Sequence, residues 1–245
     1  MAASGAVPKV LNYWRAGLDS VPDEVWRHPE TEVLLLADNR LTAVSERIGD
    51  LTRLHTIDLG HNLLTSVPAR IGTLPELTRF LYLHDNRLTE LPDTLGALGR
   101  LAYLNVGENR LTALPPALAA MTGLVELRAQ DNRLTALPDG IGGLSALREL
   151  WLRGNALTAL PDSARDLTEL RELELRDNAF AHVPEPLRAL PRLRRLDLRA
   201  NRLRELPAWI TELPALEKLD LRWNDVRVAP GLLDELTGRG CVVLR

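Results

Sequence analysis

The chain of 245 residues is long enough for one large domain or two small ones. Its net charge of −3 at pH 7 excludes a global basic field of the kind that holds nucleic acid. The single cysteine, Cys241, excludes an internal disulfide, and with only 4% aromatic residues the core must be built mostly from leucine, alanine and valine.

The first ten residues, MAASGAVPKV, lack the long apolar stretch of a secretory signal peptide. No other run in the sequence approaches the length of a membrane-spanning helix. We therefore expect a cytoplasmic protein that has neither a membrane partner nor a nucleic-acid partner.

The chain begins with a predicted tail and capping segment, residues 1–30. From Asn39 onward an asparagine recurs at a period of 23 residues, but the position one period earlier is Ala16. Apolar residues still occupy the other repeat positions, which indicates a degenerate first turn. Terminal repeats are atypical because they cover the open end of the core, so we expect Trp14 and Trp26 to supply bulk here.

Residues 31–229 contain nine regular repeats. Each opens with a short strand such as residues 150–152, where period-two alternation sends the leucines inward and the residue between them to the opposite face. We expect successive strands to stack as a parallel sheet. The corner asparagines lie 23 residues apart, with one step of 24, at Asn39, Asn62, Asn86, Asn109, Asn132, Asn155, Asn178, Asn201 and Asn224.

The second half of each repeat reads L-P-x-x-I-G-x-L and returns along the other side of the coil. Its proline donates no hydrogen bond, and its length suits a short helical or 3₁₀ turn. Each asparagine is expected to bond backbone groups of its own turn and of the next, because buried amides at a corner have no ladder partner.

One repeat, which begins at Leu77, has one residue more than its neighbours. An extra residue in a strand is accommodated as a bulge. We therefore expect a bulge near Arg79 or Phe80 that re-aims the local side chains.

The last segment, residues 230–245, departs from the repeat pattern and predicts a C-terminal cap. Residues 230–236 read as a short amphipathic helix, which the following glycines stop. Val242 and Leu244 are expected at the inward positions of an eleventh strand, with Cys241 as an ordinary edge-strand residue.

The repeated pattern L-x-x-L-x-L-x-x-N-x-L resembles that of leucine-rich repeat proteins. The variant in NRLTALPDGIGGL, residues 132–144, is similar to an intracellular subgroup with 23-residue repeats. That subgroup includes Ras-associated scaffolds, plant Ras-group-related proteins, Scribble-like adaptors, the repeat region of Roco GTPases and small standalone bacterial proteins.

This resemblance implies an α/β leucine-rich repeat solenoid, shaped as a horseshoe, with a parallel sheet on the concave face. It places short helical or 3₁₀ turns on the convex face. It also implies protein–protein interaction on the concave face, with a GTPase or a kinase as a possible class of partner.

The outward strand residues are free of the packing pattern, so binding residues are sought among them. We call the strand of each repeat, with the residues that follow it up to the corner asparagine, a rung. Four consecutive rungs carry aromatic, arginine and histidine side chains, and tyrosine, tryptophan and arginine are enriched at binding hot spots. Glycines at positions 60 and 107 should leave hollows beside the histidine of this patch. The alternative is that these residues reflect sequence drift among the repeats and have no binding role, with the aromatic rings stacking on one another across rungs. The candidate residues are Phe80, Tyr82, His84, Tyr103, Asn105, Arg128, Trp151 and Arg153, flanked by His61.

Acidic and basic residues alternate on the C-terminal third of the same face. One interpretation is a mutually neutralising ladder that keeps an exposed sheet soluble, since exposed ion pairs contribute about 0–1 kcal/mol each. The other is a docking surface for a charged partner. The residues are Glu174, Arg176, Asp197, Arg199, Asp220 and Arg222.

We expect a non-catalytic scaffold or recognition module without a cofactor. The sequence contains no nucleophile motif, no phosphate loop and no metal-ligand spacing of known type. One alternative is a small-molecule or peptide-terminus site in which Arg128 and Arg153 clamp an anion. A weaker one is a metal-assisted hydrolase near His84, but Asp85 and Glu108 precede corner asparagines and are better explained by turn chemistry.

Overall fold

The computed structural model describes residues 9–245. Eleven parallel strands of three residues each form one sheet, and their order in the sheet is their order in the chain. This arrangement confirms the predicted solenoid. The strands are β1 Val10–Asn12, β2 Val33–Leu35, β3 Thr56–Asp58, β4 Phe80–Tyr82, β5 Tyr103–Asn105, β6 Glu126–Arg128, β7 Glu149–Trp151, β8 Glu172–Glu174, β9 Arg195–Asp197, β10 Lys218–Asp220 and β11 Val242–Leu244.

Short 3₁₀ turns return the chain from each of the first nine strands to the next, as predicted. An extended proline precedes most of them, for example Pro161 with φ −67° and ψ 155°. Proline fits there because its φ is fixed near the required value and it has no N–H to leave unbonded. The turns are Asp23–Arg27, Glu46–Asp50, Ala69–Thr73, Asp93–Ala97, Pro116–Ala120, Ile141–Gly143, Asp162–Asp166, Glu185–Ala189 and Ala208–Glu212.

A single leucine-rich core lies between the sheet and the 3₁₀ turns. In the repeat from residue 147 to residue 169, every leucine predicted to point inward is buried. The strand residue between two such leucines points to the other side, which we call the open sheet face. The register is continuous from β1 to β11, so the outward residues form columns across the rungs.

The corner asparagines link each turn to the turn before it. The Asn155 side-chain Nδ2 donates to the Leu152 carbonyl of its own turn at 3.0 Å and to the Ala129 carbonyl of the preceding turn at 3.0 Å. Its Oδ1 accepts the Leu134 N–H, also of the preceding turn, at 2.9 Å. The expectation of bonds to the next turn was therefore wrong in direction, although the backbone groups satisfied are of the expected kind.

The residue before each corner asparagine has a left-handed backbone. Eight such residues are not glycine and have φ between 49° and 60°, Asp85 and Glu108 among them. Aspartate tolerates this conformation better than most residues. Turn chemistry thus accounts for the acidic residues that recur at this position.

The extra residue of the fourth rung is absorbed immediately before β4. At a regular rung, the amides of Val125 and Glu126 both donate to the Ala102 carbonyl, at 2.8 and 3.1 Å. Here the carbonyls of Thr78 and Arg79 each accept a separate amide at 3.0 Å. β4 keeps its register with both neighbours, so the bulge precedes the strand and does not re-aim its side chains.

The two caps differ in detail from the predictions. Helix α1, Leu232–Gly238, precedes β11, in which Val243 aligns with buried Leu219. Val242 and Leu244 therefore lie in the outward columns, and the prediction that they point inward was wrong. Cys241 is buried in the core.

In the N-terminal cap, Trp26 is buried but Trp14 is 53% exposed, and its Nε1 donates to Asp38 at 2.6 Å. Only Trp26 supplies the predicted bulk. Residues 1–8 of the predicted tail lie outside the described residues. Within residues 9–245, no helix is long and apolar enough to cross a membrane.

Candidate functional site

Three aromatic rings from β4 and β5 form the centre of the candidate site. The ring centroids of Phe80 and Tyr82 are 5.9 Å apart, and Tyr103 lies 5.6 Å from Phe80 and 5.0 Å from Tyr82. These distances are those of favourable aromatic pairs. The spacing of residues on one strand face and the alignment of neighbouring rungs bring the rings together.

Arg128 joins these rings to Trp151 on the next rung. Its guanidinium carbon lies 4.9 Å from the Trp151 ring centroid and 6.0 Å from that of Tyr103, within cation–π range. The five residues Phe80, Tyr82, Tyr103, Arg128 and Trp151 are therefore one continuous patch, which we call the aromatic cluster. It spans four rungs of the open sheet face, as the sequence predicts.

The two tyrosines of the cluster keep their hydroxyl protons at neutral pH. Burial raises the pKa of Tyr103 to about 12 and also raises the pKa of Tyr82. Both phenols are therefore neutral and can donate a hydrogen bond to an acceptor on a partner.

Both arginines of the predicted site already have carboxylate partners. Arg128 Nε donates to Glu126 at 2.5 Å. Arg153 donates from Nε and Nη2 to Asp131, at 3.3 and 2.9 Å. The hydrogen bonds raise the pKa of the Arg153 guanidinium, which stays charged in this pair. The structure thus gives less support to a pair of arginines held ready to clamp an anion.

The hollows expected beside His84 are filled, so that expectation was wrong. The His84 imidazole lies over Gly60, where an added Cβ would be 2.4 Å from its Cε1. The Gln130 amide covers Gly107 in the same way, at 2.5 Å. Side chains of this column lean over the preceding rung, and glycine provides the room for them.

His61 lies beside the aromatic cluster rather than within it. Its Nδ1 is 2.6 Å from Asp85 Oδ2, and its ring meets that of His84 edge-on at 4.7 Å. The hydrogen bond with Asp85 raises the pKa of His61, whereas burial lowers the pKa of His84. Across residues 9–245, no group of three histidine, cysteine, aspartate or glutamate side chains could hold a metal ion.

Asn105 is a structural residue of the site. It is only 7% exposed, and its Oδ1 accepts the Gly107 N–H at 3.0 Å. The same short-range bond recurs at Asp58, whose Oδ1 accepts the Gly60 N–H at 3.0 Å. The Asn105 side chain therefore shapes the end of its strand and offers little surface to a partner.

The charged residues of the C-terminal third form a ladder with one gap. Arg199 Nε donates to Asp197 at 2.9 Å and lies 3.5 Å from Asp220, and Arg222 Nε donates to Asp220 at 2.9 Å. Arg176 does not complete the series, because it pairs with Asp177 at 2.9 Å. Within the described residues, Glu174 and Arg176 therefore do not form an ion pair, and the interpretation of a mutually neutralising ladder does not extend to Glu174.

A hollow of about 210 Å³ lies on the open sheet face between Trp151 and Asp220. It is adjacent to the aromatic cluster, at the start of the charge ladder. The hollows predicted from the sequence were beside His84, next to β4, whereas this hollow begins at β7. The available signal was the change from long side chains at β6 and β7 to short aspartates in the central column of β9 and β10.

Two sequence profiles match the chain over most of its length. The profile described as "Leucine-rich repeat region" matches residues 76–176, and the one described as "Leucine rich repeat" matches residues 29–88 and 184–226. A Drosophila melanogaster leucine-rich repeat and calponin homology domain-containing protein is 39% identical over 72 residues. That match covers 29% of this chain and 9% of the fly protein.

Solved structures share the fold across almost the whole chain. A leucine-rich repeat protein of Leptospira interrogans is 29% identical with a TM-score of 0.72, and the match covers 92% of this chain and 63% of that one. The ectodomain of the Arabidopsis thaliana receptor kinase GASSHO1/SCHENGEN3, solved in complex with CASPARIAN STRIP INTEGRITY FACTOR 2, is 30% identical with a TM-score of 0.78. The match covers 91% of this chain and 28% of the ectodomain. The chain thus spans less than two thirds of the length of each of these relatives.

Proposed function

This chain belongs to the leucine-rich repeat proteins, and on that basis we propose that it is a non-catalytic module that binds a segment of a partner protein. The binding surface is the open sheet face, the predicted concave side of the solenoid. Leucine-rich repeat folds are commonly protein-interaction modules, and the ectodomain named above was solved with a bound partner.

The observation that carries the proposal is the aromatic cluster. Phe80 is 40% exposed, and the rings around it are only half-buried although no packing requirement places them on this face. Large apolar side chains grouped on an exposed surface favour an interaction site. Tyrosine, tryptophan and arginine are also the residues that contribute most at protein interfaces.

The geometry favours a protein segment over a small anion. The guanidinium groups of Arg128 and Arg153 are engaged with Glu126 and Asp131, and His84 and Gln130 fill the spaces above the glycines. What the aromatic cluster still offers a partner is the exposed faces and edges of its rings and the hydroxyl donors of Tyr82 and Tyr103. Such a surface suits an extended or helical segment that lies across several rungs.

The proposal is tested by truncating the cluster and measuring partner capture. The wild-type chain, immobilised, is exposed to an extract of its source cells, and retained proteins are quantified by mass spectrometry. We expect Tyr82→Ala and Trp151→Ala each to reduce retention of the main partner by about 30-fold, the effect of losing a hot-spot residue. Because both side chains lie outside the leucine core, the melting temperature should stay within about 4 °C of wild type.

Trp14→Ala provides the matched control. Trp14 is 53% exposed and lies next to β1, three rungs from β4, so its loss removes a comparable area of exposed ring away from the aromatic cluster. Retention should be unchanged in this variant. Equal retention by the wild type and both cluster variants would contradict the proposed surface.

A further inference from the structure

The hollow beside the aromatic cluster differs from the cluster in chemistry. Its walls include the Trp151 indole and the carboxylates of the central column, Glu174, Asp197 and Asp220. Three acidic groups on neighbouring rungs repel one another unless cations separate them. The distribution of cations around them therefore indicates what the hollow can accept.

Two of the three carboxylates are neutralised by the chain itself. Arg199 contacts both Asp197 and Asp220, and Arg222 also bonds to Asp220. Glu172, at the side of the hollow, lies 3.2 Å from Arg195. These groups are satisfied and need no external partner.

Glu174 is the exception. Throughout the described part of the chain, no basic side chain lies within ion-pair distance of its carboxylate and no side chain donates to it. Arg153, Arg176 and Arg199 act on it only at longer range, because Arg153 is hydrogen-bonded to Asp131 and Arg176 lies 2.9 Å from Asp177. The carboxylate is half-buried, and burial raises its pKa. An ionised group withdrawn from water without a partner is costly, and an arriving cation would offset that cost.

Trp151 supplies the complementary apolar wall. Arg128 covers the side of the ring that faces the preceding rung, and Nε1 lies 3.3 Å from Glu149. The ring also lines the hollow on the side that leads to Glu174. Long basic side chains bury their methylene stems on apolar surface while the charged head stays with a polar partner.

We propose that the hollow receives one basic side chain, arginine or lysine, of the partner segment, with its stem on Trp151 and its charge on Glu174. This inference rests on the proposed function and names the chemistry of the partner. The apolar residues of the segment would pack on the aromatic cluster. Its basic residue would enter the hollow one rung further along. Arg195, Arg199 and Lys218 also line the hollow, but Arg195 and Arg199 are paired with acidic residues, and Lys218 lies two rungs further along, in the column of Glu172. On the Trp151 side of the hollow, the unpaired charge is therefore that of Glu174, which favours a basic occupant over an acidic one.

The test uses random peptides displayed on phage and selected on the wild-type chain. Selected peptides should share a basic residue, and Glu174→Gln should weaken their binding about tenfold, the effect of losing one charged hydrogen bond. Replacing the basic residue of the peptide by norleucine should weaken binding by the same factor. Combining both changes should cause no further loss, because they remove one shared contact.

Glu90→Gln is the matched control, since it removes the same charge from an exposed glutamate outside the sheet. It should bind the selected peptides as the wild type does. A direct probe, N-acetylarginine amide, is titrated in parallel. It should shift the NMR signal of the Trp151 indole N–H in the wild type but not in Glu174→Gln.

The outcomes separate the two proposals. Peptides that require Tyr82 but contain no basic residue, or that bind Glu174→Gln as well as wild type, would overturn the basic-residue inference and leave the proposed function intact. Peptides insensitive to both Tyr82→Ala and Glu174→Gln would overturn both. If the selection yields no peptide, the proposed function fails, and an arginine probe that leaves the indole signal unmoved refutes the inference independently.

Discussion

Two neighbouring histidines at the edge of the aromatic cluster lie in opposite electrostatic environments. His61 is held by Asp85, which favours its protonated form and raises its pKa. His84 lies over Gly60, and in the described structure its buried Nδ1 has no hydrogen-bond partner. Burial lowers its pKa, and the nearby His61 acts in the same direction. Their ring centroids are only 4.7 Å apart, so each proton affects the other.

We expect these two histidines to have opposite effects on stability as the pH changes. His61, with a folded pKa above the ordinary 6.5, stabilises the fold below that pH, and the effect is lost as the pH rises through its raised pKa. His84, with a folded pKa below 6.5, makes the fold less stable as the pH falls from 6.5 through its lowered pKa. Urea unfolding of His61→Gln and His84→Gln across this range measures both differences.

NMR titration of the two imidazole rings checks the assignment independently. His61 should titrate at a higher pH than His84, and Asp85→Asn should bring the two midpoints closer. The reverse order of titration would contradict the described contacts.

The outward columns of side chains could be predicted from the sequence, because a fixed period and strand alternation determine which residue is exposed. The partner of each side chain could not. Arg153 pairs with Asp131 rather than with a member of its own column, because it leans over the preceding rung. Arg176 lies 2.9 Å from its chain neighbour Asp177, and together with the Arg153–Asp131 pair this leaves Glu174 unpaired. Such choices depend on side-chain rotamers, which the repeat pattern does not specify.

At the scale of elements, the backbones of neighbouring 3₁₀ turns approach each other closely at some glycines. An added Cβ at Gly96, in the turn Asp93–Ala97, would lie 2.3 Å from the carbonyl oxygen of Ala117 in the next turn. Backbone atoms cannot move aside as a flexible side chain can. The absence of a side chain at Gly96 therefore permits the short distance between these two turns.

Gly96→Ala should destabilise the protein by about 1–3 kcal/mol, because the new methyl group forces two turns apart. Gly99→Ala is the matched control, since its added Cβ would meet nothing closer than the Ala120 carbonyl at 3.7 Å. We expect Gly99→Ala to change the free energy of unfolding by less than about 0.5 kcal/mol. Urea denaturation measures both values, and equal effects would contradict the close approach of the turns.

The sequence predicted the type and order of elements wherever the 23-residue period held. It was less informative where the period failed. The extra residue before β4 could be located only to within a residue or two, because the bulge is defined by which carbonyl accepts which amide. In the C-terminal cap, Val242 and Leu244 were assigned to the wrong face, since no later repeat fixes the register of β11.

At the scale of the whole molecule, each repeat is stabilised by the repeats next to it. Each interior strand bonds only the strands before and after it, and each corner asparagine bonds backbone of the preceding turn. Helix α1 closes one end by packing against β11 and the turn Ala208–Glu212. Because repeats contact only their neighbours, loss of an end should spread inward by steps.

Leu236→Ala tests this expectation. Leu236 is buried in the cap, and its truncation should lower stability by about 2–5 kcal/mol. In hydrogen exchange measured by mass spectrometry, protection should fall most in β11 and β10 and progressively less toward β5. Leu233→Ala, a change at a half-buried residue of the same helix, should have a smaller effect. A uniform loss of protection along the chain would show instead that it unfolds as one unit.

The left-handed residue before each corner asparagine affects how the molecule can acquire new specificity. The backbone there accepts aspartate, histidine, glutamate, alanine and tryptophan with nearly the same φ, so folding does not dictate the side chain. These residues contact the sheet face from one margin, as His61 and Asp131 do. Substitutions along this margin can therefore adjust what the face recognises while the leucine interior and the asparagine bonds remain as they are.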